Sequence, residues 1–83
     1  MQKKTVLITG ASSGMGYAAT TLFAKQGWEV YAGARRVEKI PTGTGIHPVK
    51  LDVTDAASRA AFVQAAKVES TIDVLINNAG YGE

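Results

Sequence analysis

The chain has 83 residues, of which 46% are hydrophobic and 19% charged, a composition typical of one small globular unit rather than two domains. Its nine lysines and arginines are spread from Lys3 to Lys67 and the net charge at pH 7 is only +2, so the clustered basic patch of a nucleic-acid-binding protein is missing. The absence of cysteine excludes disulfides, thiolate metal ligands and a cysteine nucleophile, and no metal site is expected.

The N-terminal stretch "MQKKTVLITGA" has the order of a secretory signal, lysines followed by an apolar run. The run breaks at Gly10 and is too short and too polar for a signal core or a membrane span. We therefore expect a cytoplasmic chain that does not bind a membrane.

The first half of the chain predicts a strand, a loop, a helix and a second strand. Lys4–Thr9 is a β-rich apolar run without clean alternation, as in a strand buried on both faces. Met15–Gln26 has a helical pattern, and Gly27 follows where helices often end on glycine. Trp28–Ala34 returns to strand character. The apolar residues at helical spacing are Met15, Ala18, Ala19, Leu22 and Phe23.

The second half predicts a strand, a helix and a final strand. Ile46–Val53 reads as a strand with Pro48 weakening its start, and Ile72–Asn77 reads as a doubly buried strand. Between them lies an alanine-rich helix with Asp55 as a charge in its first turn. Its expected inner face consists of Ser58, Ala61, Phe62, Ala65 and Val68.

The order of these elements predicts an α/β fold. The segment between the second and third strands has space for one helical turn at most and is near the minimum for a parallel crossover, so antiparallel pairing of these two strands stays open. With right-handed crossovers, the order β-α-β-β-α-β gives half of a doubly wound parallel sheet, Rossmann-like, with about four strands and helices on both faces.

The loop "TGASSGMG" lies between the first predicted strand and the first predicted helix. Glycine lets a backbone approach a ligand closely, and a helix N-terminus presents unpaired N–H groups and a partial positive charge. The loop therefore suits a pyrophosphate, with Ser12 and Ser13 as hydroxyl donors. Its spacing, Gly10-x-x-x-Gly14-x-Gly16, is neither the standard dinucleotide fingerprint nor a P-loop. Taken alone, it is also compatible with a tight strand-to-helix turn.

Four segments together resemble the short-chain dehydrogenase/reductase family: "TGASSGMG", the arginine pair after the second strand, "LDVTD" and "NNAG". They occur in the family's order and cover nearly the whole chain. The resemblance implies that residues 1–83 are the N-terminal part of a Rossmann-like NAD(P)-binding domain. It also implies an oxidoreductase that transfers a hydride between a nicotinamide cofactor and an alcohol or carbonyl substrate. The loop residues implied to bind the cofactor are Gly10, Ser12, Ser13, Gly14, Met15 and Gly16.

The end of the second strand indicates NADP rather than NAD. Ala34 stands where the family's NAD-binding acid would be, and Arg35 and Arg36 follow. Guanidinium groups bind a 2′-phosphate that a carboxylate would repel. Alternatively, the two arginines are merely solvated. The family's other NADP marker, a basic residue before the second glycine, is replaced by Ser13.

Asp52 and Val53 match the pair that brackets adenine in this family. The resemblance implies that the Asp52 side chain accepts from the exocyclic amine of adenine, while the Val53 N–H donates to a ring nitrogen. The alternative is that Asp52 is only a turn or capping residue before the next helix.

The segment "NNAG" matches the family segment beside the cofactor ribose. The resemblance implies that Asn77 braces the backbone of the neighbouring strand, while Asn78, Ala79 and Gly80 face the cofactor. A plain loop after a strand is the alternative.

Three ring side chains are expected to have structural functions. His47 stands alone in a predicted strand, and no partner that would orient it as a base is visible in the sequence. Trp28 and Phe23 are expected to pack in the core or at its edge.

The catalytic Tyr-x-x-x-Lys of the family is missing, since Tyr17 is followed four residues later by Thr21 and Tyr31 by Arg35. No catalytic residue is assigned, and we interpret the chain as truncated before the catalytic segment and inactive alone. Its partners would be a nicotinamide dinucleotide and either the missing C-terminal segment or another copy of the chain. An open sheet edge favours self-association. A non-enzymatic association module that pairs through this edge is the alternative function.

Overall fold

The computed structural model describes residues 4–69 and 72–77. The strands are β1 (Thr5–Thr9), β2 (Glu29–Ala34), β3 (Ile46–Lys50) and β4 (Val74–Asn77). The helices are α1 (Gly14–Lys25) and α2 (Ala56–Glu69), and a single 3₁₀ turn spans Val37–Lys39. Every predicted element is present in the predicted order, so the sequence pattern identified the architecture correctly.

The strands of the described residues form one parallel sheet in the order β3-β2-β1-β4. Val6 of β1 pairs with Val30 of β2 on one side and with Val74 of β4 on the other. The sequence left the direction of pairing between β2 and β3 open because the segment that connects them is short. In the structure the two strands are parallel, with Val30 opposite Ile46. The fold is therefore the expected half of a doubly wound sheet.

Both faces of the sheet are covered by a helix, as the fold prediction requires. On the face that α1 covers, Val6, Ile8, Val30 and Ala32 are fully buried and pack with half-buried side chains of the helix. We call this side the α1 face. On the opposite side, which we call the α2 face, the buried cluster consists of Leu7, Tyr31, Leu51, Phe62 and Ala66. The alternation of side chains along β1 divides its apolar run between the two cores.

The inner face of α1 agrees only in part with the predicted helical pattern, of which Ala19 and Phe23 pack against the core. Gly16 and Thr20 are its buried residues, whereas Met15 is 80% exposed and Leu22 is 54% exposed. The Thr20 hydroxyl donates to the Gly16 carbonyl oxygen at 2.8 Å, which satisfies the buried hydroxyl inside its own helix. Small side chains let the helix lie close to the sheet, while Met15 and Leu22 turn outward. Gly27, with φ of 90°, follows the helix end as expected.

The inner face of α2 also differs in part. Phe62 and Ala66 are buried, but Ala61 and Ala65 are exposed, and the Val68 side chain lies outside the described residues. In an alanine-rich helix several faces are equally apolar, so the one large aromatic side chain decides which face turns inward. Asp55 lies before the first turn rather than in it, and its Oδ1 accepts from the Ala57 N–H at 3.0 Å as an N-cap.

Candidate functional site

The carboxyl ends of three adjacent strands carry the residues that the sequence singled out. The glycine loop follows β1, the arginine pair follows β2, and Asp52 and Val53 follow β3. The Ala11 N–H donates to the Gly33 carbonyl at 3.0 Å, and the Leu51 N–H donates to the Ala34 carbonyl at 2.9 Å. These bonds tie each segment to the neighbouring strand. All three segments therefore lie along the edge formed by the carboxyl ends of the strands, where open α/β sheets bind ligands.

The glycine loop depends on backbone conformations that favour glycine. Gly10 has φ of 66° and Gly14 has φ of 55°, values in the left-handed region. A Cβ at Gly14 would meet no atom within 4 Å, so the constraint there is the backbone angle and the space beside it is open. α1 begins at Gly14, and within this described helix the first turn contains no acidic side chain that would offset the positive end of its dipole.

The loop residues divide into inner and outer positions. Gly10 and Gly16 are buried, and Ser12 is half-buried. Ser13, Gly14 and Met15 are exposed at the start of α1. The three outer residues therefore present backbone and side chains to any ligand at this edge.

The arginine pair lies outside the core, directly after β2. Ala34, the last residue of β2, is buried, whereas Arg35 and Arg36 are exposed. No acidic residue stands at the end of this strand. Arg35 and Arg36 therefore place two positive charges directly after β2, and these would attract an anionic group there.

Asp52 forms a tight turn with Thr54. Its Oδ1 accepts from the Thr54 N–H at 3.0 Å and from the Thr54 hydroxyl at 2.7 Å. These hydrogen bonds, with the positive charge of Arg35, lower the pKa of Asp52 below its ordinary value of 3.8, while desolvation opposes them. The turn function that the sequence left as an alternative for Asp52 is thus present, and the helix cap is Asp55 instead.

Two residues of α2 that the sequence analysis did not assign to the site hold the same turn. The Asp52 N–H donates to the Ser58 hydroxyl oxygen at 2.9 Å, and the Arg59 guanidinium donates from Nη1 to the Val53 carbonyl at 2.5 Å. Thr54 had a local signal, because Asp-x-Thr is a pattern typical of such side-chain turns. Ser58 was expected only on the inner face of the helix, and the contacts of Ser58 and Arg59 had no signal because they depend on how the helix packs against the strand end.

Asn77 contacts the neighbouring strand differently from the expectation. Its Oδ1 accepts from the Thr9 hydroxyl at 3.0 Å, so in this contact it braces a side chain of β1 rather than its backbone. The two residues are directly opposite each other in the parallel pairing of β1 and β4. Asn78, Ala79 and Gly80 lie outside the described residues.

His47 lies toward the amino end of β3, away from the glycine loop. Its Nε2 is 2.5 Å from Glu29 Oε1, and its ring stacks on that of Tyr31 with 4.5 Å between ring centroids. Phe23 and Trp28 meet edge to face at 4.8 Å between centroids. These contacts match the structural functions expected for all three rings.

A cavity of about 300 Å³ opens on the α2 face. Its apolar lining consists of Leu7, Leu51, Val53, Phe62, Val63 and Leu75. Arg59, Thr9 and Asn77 add polar groups at its boundary. Val53 and Arg59 belong both to the cavity and to the turn after β3, and Leu75 is 62% exposed.

Neither helix in residues 4–69 and 72–77 combines the length and the apolar character that crossing a membrane requires. Over the same ranges, His, Asp and Glu side chains form no group of three or more that would hold a metal ion.

Comparison with known proteins decides the family. The sequence model of the family described as "short chain dehydrogenase" matches residues 4–83. The chain belongs to the short-chain dehydrogenase family. The resemblance carried by the glycine loop, "LDVTD" and "NNAG" is therefore confirmed.

Two curated relatives show how much of a short-chain dehydrogenase the chain spans. A serine 3-dehydrogenase from Rhizobium radiobacter is 40% identical over 82 residues, which cover 92% of this chain and 33% of that protein. A "Probable NADP-dependent dehydrogenase" from Dichelobacter nodosus is 43% identical over 81 residues, which cover 90% of this chain and 76% of that protein. The chain thus spans about a third of the length of the serine 3-dehydrogenase.

A solved structure confirms the fold at the level of the backbone. The 3-ketoacyl-(acyl-carrier-protein) reductase from Brucella melitensis, complexed with NADH, superposes with a TM-score of 0.86 and 36% sequence identity. The match covers 96% of this chain and 36% of the reductase. The protein is therefore related to oxidoreductases of the short-chain dehydrogenase family in both sequence and fold.

Proposed function

We propose that this chain is the NADP-binding N-terminal part of an oxidoreductase that transfers a hydride between a nicotinamide cofactor and an alcohol or carbonyl substrate. The observation that carries this proposal is the juxtaposition of three segments at one sheet edge: the glycine loop after β1, the arginine pair after β2 and the Asp52 turn after β3. The relation to an NADP-dependent dehydrogenase and to a reductase complexed with NADH supports a dinucleotide as the ligand.

The loop would hold the pyrophosphate. Ser12, Ser13 and the backbone from Gly14 to Gly16 surround the start of α1, where unpaired N–H groups and the helix dipole attract an anion. The open space beside Gly14 fits a phosphate placed against the backbone. Gly10 and Gly16 would allow the close approach, and the exposed Met15 would lie next to the bound cofactor.

The arginine pair would select NADP over NAD. Arg35 and Arg36 are exposed at the end of β2, and Ala34 replaces the acid that would bind a ribose hydroxyl. A guanidinium offers paired N–H donors to a phosphate, while the 2′-hydroxyl of NAD gains much less from the same group.

The adenosine end would lie between β3 and the segment after β4. Asp52 and Val53 would meet the adenine, and Asn78, Ala79 and Gly80 would line the ribose. The cytoplasm, with its dinucleotide pool, is the proposed location.

When bound, the nicotinamide supplies the hydride, and the residues of this chain bind and orient the cofactor that carries it. The chain contains no Tyr-x-x-x-Lys, so it has no phenol with an adjacent cation to supply the proton. We therefore assign the proton transfer and the substrate pocket to a further segment of a longer protein, and we expect the 83-residue chain alone to be inactive.

Calorimetric titration of the 83-residue chain with NADPH and with NADH tests the proposal. We expect tighter binding of NADPH, and Arg35→Asp should reverse the preference, because the new carboxylate repels the 2′-phosphate and accepts from a ribose hydroxyl. The loss of one charge-assisted contact should weaken NADPH binding about tenfold or more. Lys25→Glu, which makes the same change of charge at the far end of α1, is the matched control and should keep the preference.

Failure to bind either dinucleotide, or tighter binding of NADH by the unmodified chain, would contradict the proposal. So would an equal effect of Lys25→Glu and Arg35→Asp, because the preference would then follow the overall charge rather than the edge at β2.

A second candidate function is association through the α2 face. The cavity on this face and the exposed Leu75 on β4 leave apolar surface beside an outer strand of the described sheet. α2 lies on this face and connects β3 to β4. In a longer protein, a right-handed crossover from β4 to a further strand beyond it would pass over the same face. A second copy of the chain is the other occupant this surface would fit.

Sedimentation of the chain with and without NADPH separates the two candidate functions. A stable dimer that forms without cofactor, and that Leu75→Asp dissociates, would support association. A monomer that binds NADPH would support the cofactor-binding proposal alone.

A further inference from the structure

The Asp52 carboxylate is fixed in orientation by one of its two oxygens. Both the N–H and the hydroxyl of Thr54 donate to Oδ1, at 3.0 and 2.7 Å. The other oxygen, Oδ2, lies outside these two bonds. Because the hydroxyl bond is short and charge-assisted, rotation of the carboxylate would break it and cost free energy. The side chain is thus held in place before any ligand arrives.

The backbone on both sides of this carboxylate is attached to α2. The Asp52 N–H donates to Ser58 Oγ at 2.9 Å, and the Val53 carbonyl accepts from Arg59 at 2.5 Å. The helix that supplies these two side chains is itself capped by Asp55. Side chains therefore bond to the backbone of three successive residues of the turn, Asp52, Val53 and Thr54.

Arg35 and Asp52 place opposite charges side by side at the ends of β2 and β3, close enough for Arg35 to contribute to the lowered pKa of Asp52 after the stronger effect of Thr54. A phosphate would be attracted by Arg35 and repelled by Asp52. The carboxylate instead suits a group that donates N–H bonds, such as the exocyclic amine of adenine. Hypoxanthine has a carbonyl oxygen at that position, and a carboxylate would repel it.

From this arrangement we infer that Thr54, Ser58 and Arg59 are positioning residues that preorganise the Asp52–Val53 turn to select an aminopurine. The inference rests on the proposed function, because it concerns the base of the same dinucleotide. The residues act through Asp52 and Val53 rather than by touching the base, and their contribution is to remove the cost of ordering the turn when the ligand binds.

The test compares NADPH with reduced nicotinamide hypoxanthine dinucleotide phosphate, which differs from it only in the purine. We expect the unmodified chain to bind NADPH more tightly. Thr54→Val removes the hydroxyl donor at nearly constant volume and should reduce the preference about fivefold, the loss typical of one hydrogen bond. Thr54→Ser keeps the donor and should restore the preference. Ser58→Ala should reduce it in the same direction.

A second ratio of affinities, measured for each variant, distinguishes a specific effect on the purine site from a general loss of structure. The ratio of NADPH to NADH affinity depends on Arg35, so Thr54→Val should leave that ratio unchanged while the purine preference falls. Thr54 is exposed, so the variant should fold, and the thermal unfolding midpoint confirms this. If the variant fails to fold, Ser58→Ala provides the same comparison.

The outcomes distinguish the two proposals. If the unmodified chain binds neither dinucleotide, the proposed function fails and this inference fails with it. If it binds NADPH in preference to NADH but does not discriminate the purines, or if Thr54→Val keeps full discrimination, this inference alone is overturned.

Discussion

The two faces of the sheet are built from the same strands but are covered to different extents. On the α1 face, the fully buried side chains of β1 and β2 form a continuous cluster under the helix. On the α2 face, Phe62 and Leu51 close the core near β2, but a cavity of about 300 Å³ remains toward β4, where Leu75 is exposed. The α1 face is therefore packed more completely, while the α2 face is incompletely covered beside β4.

This difference also separates two parts of the candidate site. The glycine loop is followed directly by α1, the helix that packs on the more completely packed face. The Asp52 turn depends on α2, because Ser58 and Arg59 hold it from that helix. We therefore expect the glycine loop, the proposed phosphate-binding part, to persist under conditions that loosen α2, and the Asp52 turn, the proposed base-binding part, to respond to changes in the α2 face.

The largest expected effect is a contrast between the two faces. Ile8→Ala on the α1 face removes a fully buried side chain and should cost about 2–5 kcal/mol of unfolding free energy. Leu75→Ala on the α2 face should cost less than about 1 kcal/mol, because most of that side chain is already exposed. Urea denaturation measures both. Equal costs would contradict the proposed difference, and Ile8→Val provides a milder substitution if Ile8→Ala does not fold.

The close contact between β2 and α2 gives the next effect. A Cβ at Gly33 would lie 2.8 Å from Leu51 Cδ2 and 3.1 Å from Phe62 Cε1. Gly33→Ala should therefore destabilise the fold by about 1–3 kcal/mol through overpacking. Adding Leu51→Val should recover part of this loss because it removes the contacting methyl group. Strict additivity of the two changes would show that the covered part of the α2 face is looser than described.

A smaller effect is expected at the start of α2. Asp55→Ala removes the N-cap and should cost about 1 kcal/mol. The same change should weaken the purine preference more than the NADPH-to-NADH ratio, because α2 holds the Asp52 turn, whereas that ratio depends on Arg35 after β2. Thr21→Ala, an exposed change on α1, is the control and should alter neither. An equal loss in both ligand ratios would show that the two parts of the site are not independent.

The smallest effect concerns pH. The bonds from Thr54 are stronger when Asp52 is ionised, so this extra stabilisation is present above the unfolded-state pKa and is lost as pH falls through the lowered folded-state pKa. Side-chain carboxyl signals followed by NMR should show Asp52 titrating below 3.8. In Thr54→Val the pKa should rise toward its ordinary value. An unchanged titration would mean that the hydroxyl does not hold the carboxylate.

The fold was predictable because its strands are short apolar runs and its helices start and stop at recognisable residues. β1 reads as doubly buried and is buried along its whole length, and Gly27 follows the end of α1 as predicted. The helix faces were only partly predictable. In α1, the small residues Gly16 and Thr20 turn inward while Met15 turns outward, and this choice depends on how closely the helix approaches the sheet.

The candidate site divides in the same way. The glycine loop, the arginine pair and Asp52 are contiguous segments whose chemistry is visible in the residues themselves. Ser58 and Arg59 became apparent only with the structure, because their hydrogen bonds join a helix to a strand end six residues earlier in the chain. Whether a serine on an alanine-rich helix meets a backbone N–H is decided by the packing of that helix.

The most direct test of the central claim is an NMR titration of the ¹⁵N-labelled chain with NADPH, because it reports where the ligand binds. We predict that the largest amide shift changes fall at the glycine loop from Ser12 to Gly16, at Arg35 and at Val53, along one edge of the sheet. Changes confined to the cavity residues Val63 and Leu75, or no changes at saturating NADPH, would contradict the claim.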